Sequence, residues 1–96
     1  MKTTNIAFKN YFDETTQKFE NIEISGCLVA NNGSPNASRP QIVIHLPKND
    51  SHDVDGSFVD YDGKEYHIIG TTAKQMDENT PTPWNRYCIG ETIKAL

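Results

Sequence analysis

Ser57-Phe58-Val59-Asp60-Tyr61-Asp62-Gly63-Lys64-Glu65-Tyr66-His67-Ile68-Ile69 is the stretch that decides the fold. Two β-type runs flank Asp62-Gly63, the strongest short-range hairpin signal a sequence offers. Its register can be argued. A two-residue loop of Asp62-Gly63 sets Asp60 opposite Glu65, and like charges face to face are unfavourable. A three-residue loop, with Gly63 in the left-handed conformation, sets Asp60 opposite Lys64 and Phe58 opposite Tyr66, with Ile68 next on that face. The charge term is about 0.2–1 kcal/mol, so the aromatic pairing carries as much of the choice. The three-residue loop is the expected register.

Further strand signals lie on both sides of the hairpin. Residues 5–12 carry Ile6, Phe8 and Phe12 at alternate or near-alternate positions, and a polar turn follows, Asp13-Glu14-Thr15-Thr16-Gln17. In 19–30, Ile22, Ile24, Gly26 and Leu28 share one face by period two. Gly26 reads either as a bulge or corner or as a plain strand glycine under a large neighbour. The loop at 31–40 is marked by its Asn, Gly, Ser and Pro content. In 41–46, Ile42, Ile44 and Leu46 alternate with Val43 and His45, bracketed by Pro40 and Pro47, which cannot donate to a sheet ladder. An acidic loop fills 47–56. The second hairpin strand runs to about Ala73, and 74–83 is a polar loop in which Thr80-Pro81-Thr82-Pro83 favours extended chain. Tyr87, Ile89 and Ile93 alternate in a last strand at 84–93.

No segment gives a convincing helix. Short strands at regular spacing in 96 residues predict one domain, 1–96. It is an all-β, small antiparallel barrel-like unit of five to six strands with long polar loops. The expected core is Ile22, Ile24, Leu28, Ile42, Ile44, Phe58, Tyr66, Ile68 and Ile89.

The formal charge is −4, and its distribution is informative. Residues 48–65 hold Asp50, Asp53, Asp55, Asp60, Asp62 and Glu65 against Lys48 and Lys64, which accounts for all of it. Nucleic-acid binding needs a basic footprint, and none is present. Met1-Lys2-Thr3-Thr4-Asn5 has no apolar run behind it, so no signal peptide is expected. No apolar run approaches the ~20 residues of a membrane span. Cys27 and Cys88 sit in expected strands and read as buried small apolar residues rather than a disulfide.

No catalytic pattern appears. His45, His52 and His67 lack the close spacing of a metal motif. Asp53, Asp55 and Ser57 occupy the first three ligand places of a calcium loop. Phe58 then stands where glycine is needed, and Lys64 where the closing glutamate belongs. No cofactor, metal or enzymatic activity is expected. Trp84-Asn85-Arg86-Tyr87 follows the Pro-rich loop. Trp84 reads as a cap on the barrel's open end, or with Arg86 as a partner anchor, since these residue types dominate interface hot spots.

The segments Asn21-Ile22-Glu23-Ile24-Ser25-Gly26, a loop ending Arg39-Pro40, Gln41-Ile42-Val43-Ile44-His45-Leu46, the Phe58 to Ile68 hairpin with its Asp62-Gly63-Lys64-Glu65-Tyr66 centre, and Trp84-Asn85-Arg86-Tyr87-Cys88-Ile89-Gly90-Glu91-Thr92-Ile93 follow one another in an order that resembles minor capsid proteins of tailed phages and prophages. The opening 1–17 and the 47–56 loop depart from that pattern. The resemblance implies a virion structural protein, a head-completion or head–tail joining subunit at the portal vertex. It also implies homo-oligomeric rings and portal, adaptor and tail proteins as partners. Such a protein resides in the host cytoplasm during assembly and in the virion afterwards, and DNA passes it without specific binding. By composition the acidic run reads first as a solvated loop on the outer wall; the sharper alternative is that Asp50, Asp53 and Asp55 form an acidic lumen lining that repels phosphate. The competing reading is a small β-barrel binding module of unknown ligand.

Overall fold

The computed structural model describes residues 3–32, 40–47, 50, 52–73 and 84–93. Among these, six strands form a closed, wholly antiparallel barrel, with no helix. The strands are β1 (Thr4–Asp13), β2 (Lys18–Asn32), β3 (Gln41–Pro47), β4 (Phe58–Tyr61), β5 (Lys64–Ala73) and β6 (Trp84–Thr92). Their order around the barrel is β1-β2-β3-β6-β5-β4, and β4 closes back onto β1 through Phe8↔Val59 and Lys9↔Phe58. Strands β3 to β6 make a Greek key: β4, β5 and β6 form a meander, and β3 lies beside β6. Closure is narrow on the β1–β4 side, and β2 pairs with β3 only at 28–32. The 74–83 loop, with Thr80-Pro81-Thr82-Pro83 expected to favour extended chain, and most of the 31–40 loop lie outside the described residues.

The central hairpin takes the two-residue register, not the expected three-residue one. Val59 faces Tyr66, Asp60 faces Glu65 and Tyr61 faces Lys64. Asp62 and Gly63 have φ of 50° and 76°, as in a type I′ turn, whose twist matches that of the strands. The like-charged pair is tolerated because Lys9 of β1 reaches both carboxylates, at 2.8 Å from Asp60 and 3.5 Å from Glu65. The hydrogen bond to Asp60, foremost, raises the Lys9 pKa. This register turns Val59, Tyr66 and Ile68 inward and leaves Phe58 outside, stacked on His67 with ring centres 4.9 Å apart.

The core comprises Ile6, Phe8, Ile24, Cys27, Ile42, Ile44, Leu46, Val54, Val59, Tyr66, Ile68 and Cys88. Ile24, Ile42, Ile44, Tyr66 and Ile68 stand where the alternation places them, and Ile22 packs against the cluster from a half-buried position. Leu28, Phe58 and Ile89 do not belong to it, and bulges and side-chain size explain why. On β2 the pairing slips by one residue beside Gly26, whose φ is 78°. The extra residue reverses the faces, so Cys27 points inward and Leu28 is half-buried on the other side. On β6 the inward positions are the small ones, Cys88, Gly90 and Thr92. A Cβ on Gly90 would sit 3.1 Å from Tyr66 Cβ and 3.3 Å from Ile42 Cγ1. The narrow barrel fits Tyr66 and Ile42 only because β6 is hollow there, which puts Ile89 outside. Further slips at Asn10 on β1 (φ 59°) and between Ile68 and Gly70 on β5 bend the ladder into closure.

Candidate functional site

β3 and β4 stand on opposite sides of the ring order, so the connection between them must cross one end of the barrel. Asp50 and 52–57 are the described part of this connection, and they form a strap. Val54 is its plug, with no exposed surface. Ser57 Oγ donates to the Val54 carbonyl at 2.5 Å and is likewise buried. Gly56 N donates to Ile68 O, and Ile68 N to Ser57 O, both at 2.9 Å, sewing this half of the strap to β5.

The other half is held by Arg86, near the start of β6. Its Nη1 donates to the His52 carbonyl at 2.8 Å. Its Nη2 donates to the Asp50 carbonyl at 3.0 Å and to Asp50 Oδ2 at 2.8 Å. The pair is largely shielded, with Arg86 19% and Asp50 9% exposed, where a charge-assisted hydrogen bond is stronger than in open water. Asp50 also accepts from His52 N at 3.1 Å, and its Oδ1 lies 2.6 Å from His52 Nδ1. The His52 and Tyr11 rings meet in a T-shaped contact with their centres 5.5 Å apart. Burial, foremost, raises the Tyr11 pKa.

The site residues named from the sequence therefore separate. Asp50 and Arg86 come together as the strap's clamp, so Arg86 is committed within the chain rather than free at the surface. Asp53 and Asp55 are exposed but structured: Asp53 Oδ1 accepts from Asp55 N at 3.2 Å, and Asp55 Oδ1 accepts the Thr71 hydroxyl. Trp84 begins β6, and its side chain lies outside the described residues. Sequence reasoning missed His52 and Thr71 as strap partners. It also missed the Phe12–Phe19 pair on the β1–β2 hairpin tip. Those rings lie 5.2 Å apart and are 43% and 70% exposed. The signal was present, since the two phenylalanines flank a polar turn symmetrically. Asp13 organises that turn, accepting from Thr15 N at 2.8 Å through its side chain and from Gln17 N at 2.7 Å through its carbonyl.

A second surface lies on the outer wall. A shallow recess of about 290 Å³ is lined by Phe58, His67, Ile69, Glu91, Thr92 and Ile93, and Ile69 and Ile93 are notably exposed. Around the ring, β5 and β6 lie opposite β2 and β1 respectively. The Phe12–Phe19 tip and the Ile69–Ile93 wall thus belong to opposite sides of the barrel.

Under the strap lie Cys27 and Cys88, both free thiols without exposed surface. Burial pushes Cys27 up to about 11, with a contribution from Asp50. Burial pushes Cys88 up to about 12, followed by the effects of Cys27 and Asp55. As thiols they are poor nucleophiles in the closed barrel. Among the described residues no three His, Cys, Asp or Glu side chains cluster to hold a metal ion, and no helix is long and apolar enough to cross a membrane.

No protein-family model matches the chain, and no curated protein sequence is significantly similar to it.

Proposed function

We propose that this barrel is a structural subunit of a tailed-phage or prophage head–tail connector, joining head to tail at the portal vertex as one member of a ring. The observation that carries the reading is the order of the resembling segments. Four of the five fall on β2, β3, the β4–β5 hairpin and β6, so most of the resemblance follows the strands; the fifth is the loop ending at Pro40. Two features support it. The ring of strands is closed, and its exposed apolar side chains are the surfaces it offers for assembly. The barrel also presents two different apolar surfaces on opposite sides, the arrangement that head-to-tail contacts need to generate rings. Portal or adaptor and tail proteins are the partners in this reading. Of the three aspartates, the exposed Asp53 and Asp55 remain the candidates for the acidic lining in this reading, whereas Asp50 is paired with Arg86.

The alternative, a binding module, is favoured by the outer recess with its stacked Phe58–His67 pair. That recess is small and shallow beside typical ligand sites. Deleting the coding sequence from an inducible phage and examining the lysate by electron microscopy separates the two. A connector subunit leaves filled or leaking heads beside unattached tails. Intact tailed particles at normal yield would refute the connector role.

A further inference from the structure

We propose that the Phe12–Phe19 tip of one copy of this chain seats in the outer-wall recess of a second copy, against Ile69 and Ile93. The inference rests on the ring reading above and names the contact from which the ring is built. The tip belongs to a free-standing ribbon. Phe12 pairs with Phe19, Tyr11 with Glu20 and Asp13 with Lys18. On their other edges, β1 pairs with β4 only at Phe8 and Lys9, and β2 pairs with β3 only from Leu28 to Asn32. Among the described residues, 11–13 and 18–20 therefore have no ladder partner beyond one another. A lone two-stranded ribbon is marginally stable and gains order when one of its faces is covered. Strand alternation gives this ribbon two unlike faces. Tyr11, Asp13, Lys18 and Glu20 share one, and Tyr11 anchors it by packing on the core and against His52. Phe12 and Phe19 share the other, with the uncharged Asn21 next along β2. The charged residues of the ribbon strands thus stand behind the two rings, not beside them.

The same chain carries the matching hollow. Among the described residues the exposed large hydrophobics are Phe12, Phe19, Ile69 and Ile93. Two are aromatic and stand on the ribbon; two are β-branched and border the recess of about 290 Å³. Aromatic rings against β-branched side chains are a favourable pairing. The acid in that recess, Glu91, already accepts from Gln41 Nε2 at 3.2 Å, so it does not meet the rings as a bare charge. Tip and wall lie on opposite sides of the barrel. A copy whose wall is filled therefore keeps its own tip free for another copy, which makes the contact heterologous and repeating. Its size sets its strength. A phenylalanine buries about 150–250 Å², so the four side chains cover on the order of a few hundred Å² on each side. A stable pair needs ~800 Å² per partner. One contact by itself is weak, and it persists when a ring closes or a template holds neighbours together.

The test is sedimentation equilibrium of the full-length chain from micromolar to near-millimolar concentration. Phe19→Ser and Ile69→Ser are run separately and then mixed in equal amounts. Both positions are exposed, and circular dichroism with urea midpoints checks that each variant folds as the parent does. Phe12→Ser and Ile93→Ser are the substitutes on the same two surfaces if either does not. The average mass of the parent should climb beyond two subunits as concentration rises. Each variant lacks one half of the contact, so each by itself should stay monomeric. Their mixture should form dimers and nothing larger, because the tip of the Ile69→Ser copy still seats on the wall of the Phe19→Ser copy and no other pairing is intact. A parent that stays monomeric at the highest concentration, association lost in only one of the two variants, or a mixture that stays monomeric would overturn the proposal. No phage component is present, so a failure here leaves the connector role to the deletion lysate. Intact particles in that lysate would in turn leave the tip-to-wall contact to be judged by this measurement.

Discussion

Gly90 shows how one missing side chain sets the barrel's width. Its inward face is filled by Tyr66 and Ile42 so closely that an added methyl group would need them to give by a few tenths of an ångström. Gly90→Ala should therefore destabilise by about 1–3 kcal/mol, as overpacking does, read as a lower urea midpoint with unchanged slope. The cysteines give a second residue-scale prediction. Their folded-state pKa values lie near 11 and 12, above the ordinary 9.0. Well below pH 9 the thiols are protonated whether folded or unfolded and contribute no pH dependence. Above it the unfolded chain loses protons that the folded chain retains, so stability falls as pH rises toward the folded values. The slope is at most about 1.4 kcal/mol per pH unit for each thiol. Cys27→Ala with Cys88→Ala should flatten the fall between pH 9 and 11 in urea titrations. Tyr11 and Tyr66, also raised mainly by burial, add a fall of the same sign at higher pH. An equal slope in the double variant would contradict this account of the buried thiols.

At the scale of elements, the hairpin teaches where sequence reading succeeds and where it stops. The strands were legible because alternation and turn residues are local signals, and β3 follows its pattern throughout. The hairpin register was not legible, because the cation that relieves Asp60 and Glu65 comes from β1, 51 residues before Asp60. Leu28 was misplaced because the Gly26 bulge reverses the faces, and a glycine alone does not say whether it bulges. Ile89 was misplaced because small inward residues on β6 matter only once Tyr66 and Ile42 are known to press against them. The acidic run read as a solvated loop by composition. Val54 within it was the one apolar residue that could have announced a plug, and Arg86 lies too distant in sequence to be recognised as its clamp. Lys9→Ala tests the β1 contribution directly. It should lower the melting temperature at low salt, and the loss should shrink at high salt, because exposed charges are screened within about 8–10 Å near physiological ionic strength. A loss independent of salt would point to packing of the lysine stem instead.

At the scale of the molecule, the barrel is closed, and the apolar surfaces it offers to neighbours are side chains. The exposed Phe12–Phe19 tip and the Ile69–Ile93 wall are unlike surfaces on opposite sides, suited to repeated contact around a ring. The connector reading requires that such contacts be weak in isolation and stabilised on a portal template, where neighbouring subunits are held side by side. The most direct measurement is co-sedimentation of the purified chain, at micromolar concentration, with its phage's portal complex, with Phe19→Ser run in parallel. The account predicts that the parent chain travels with the portal in fixed stoichiometry, and that Phe19→Ser, folded to the same stability, binds more weakly. A parent chain that remains at the top of the gradient would contradict the account.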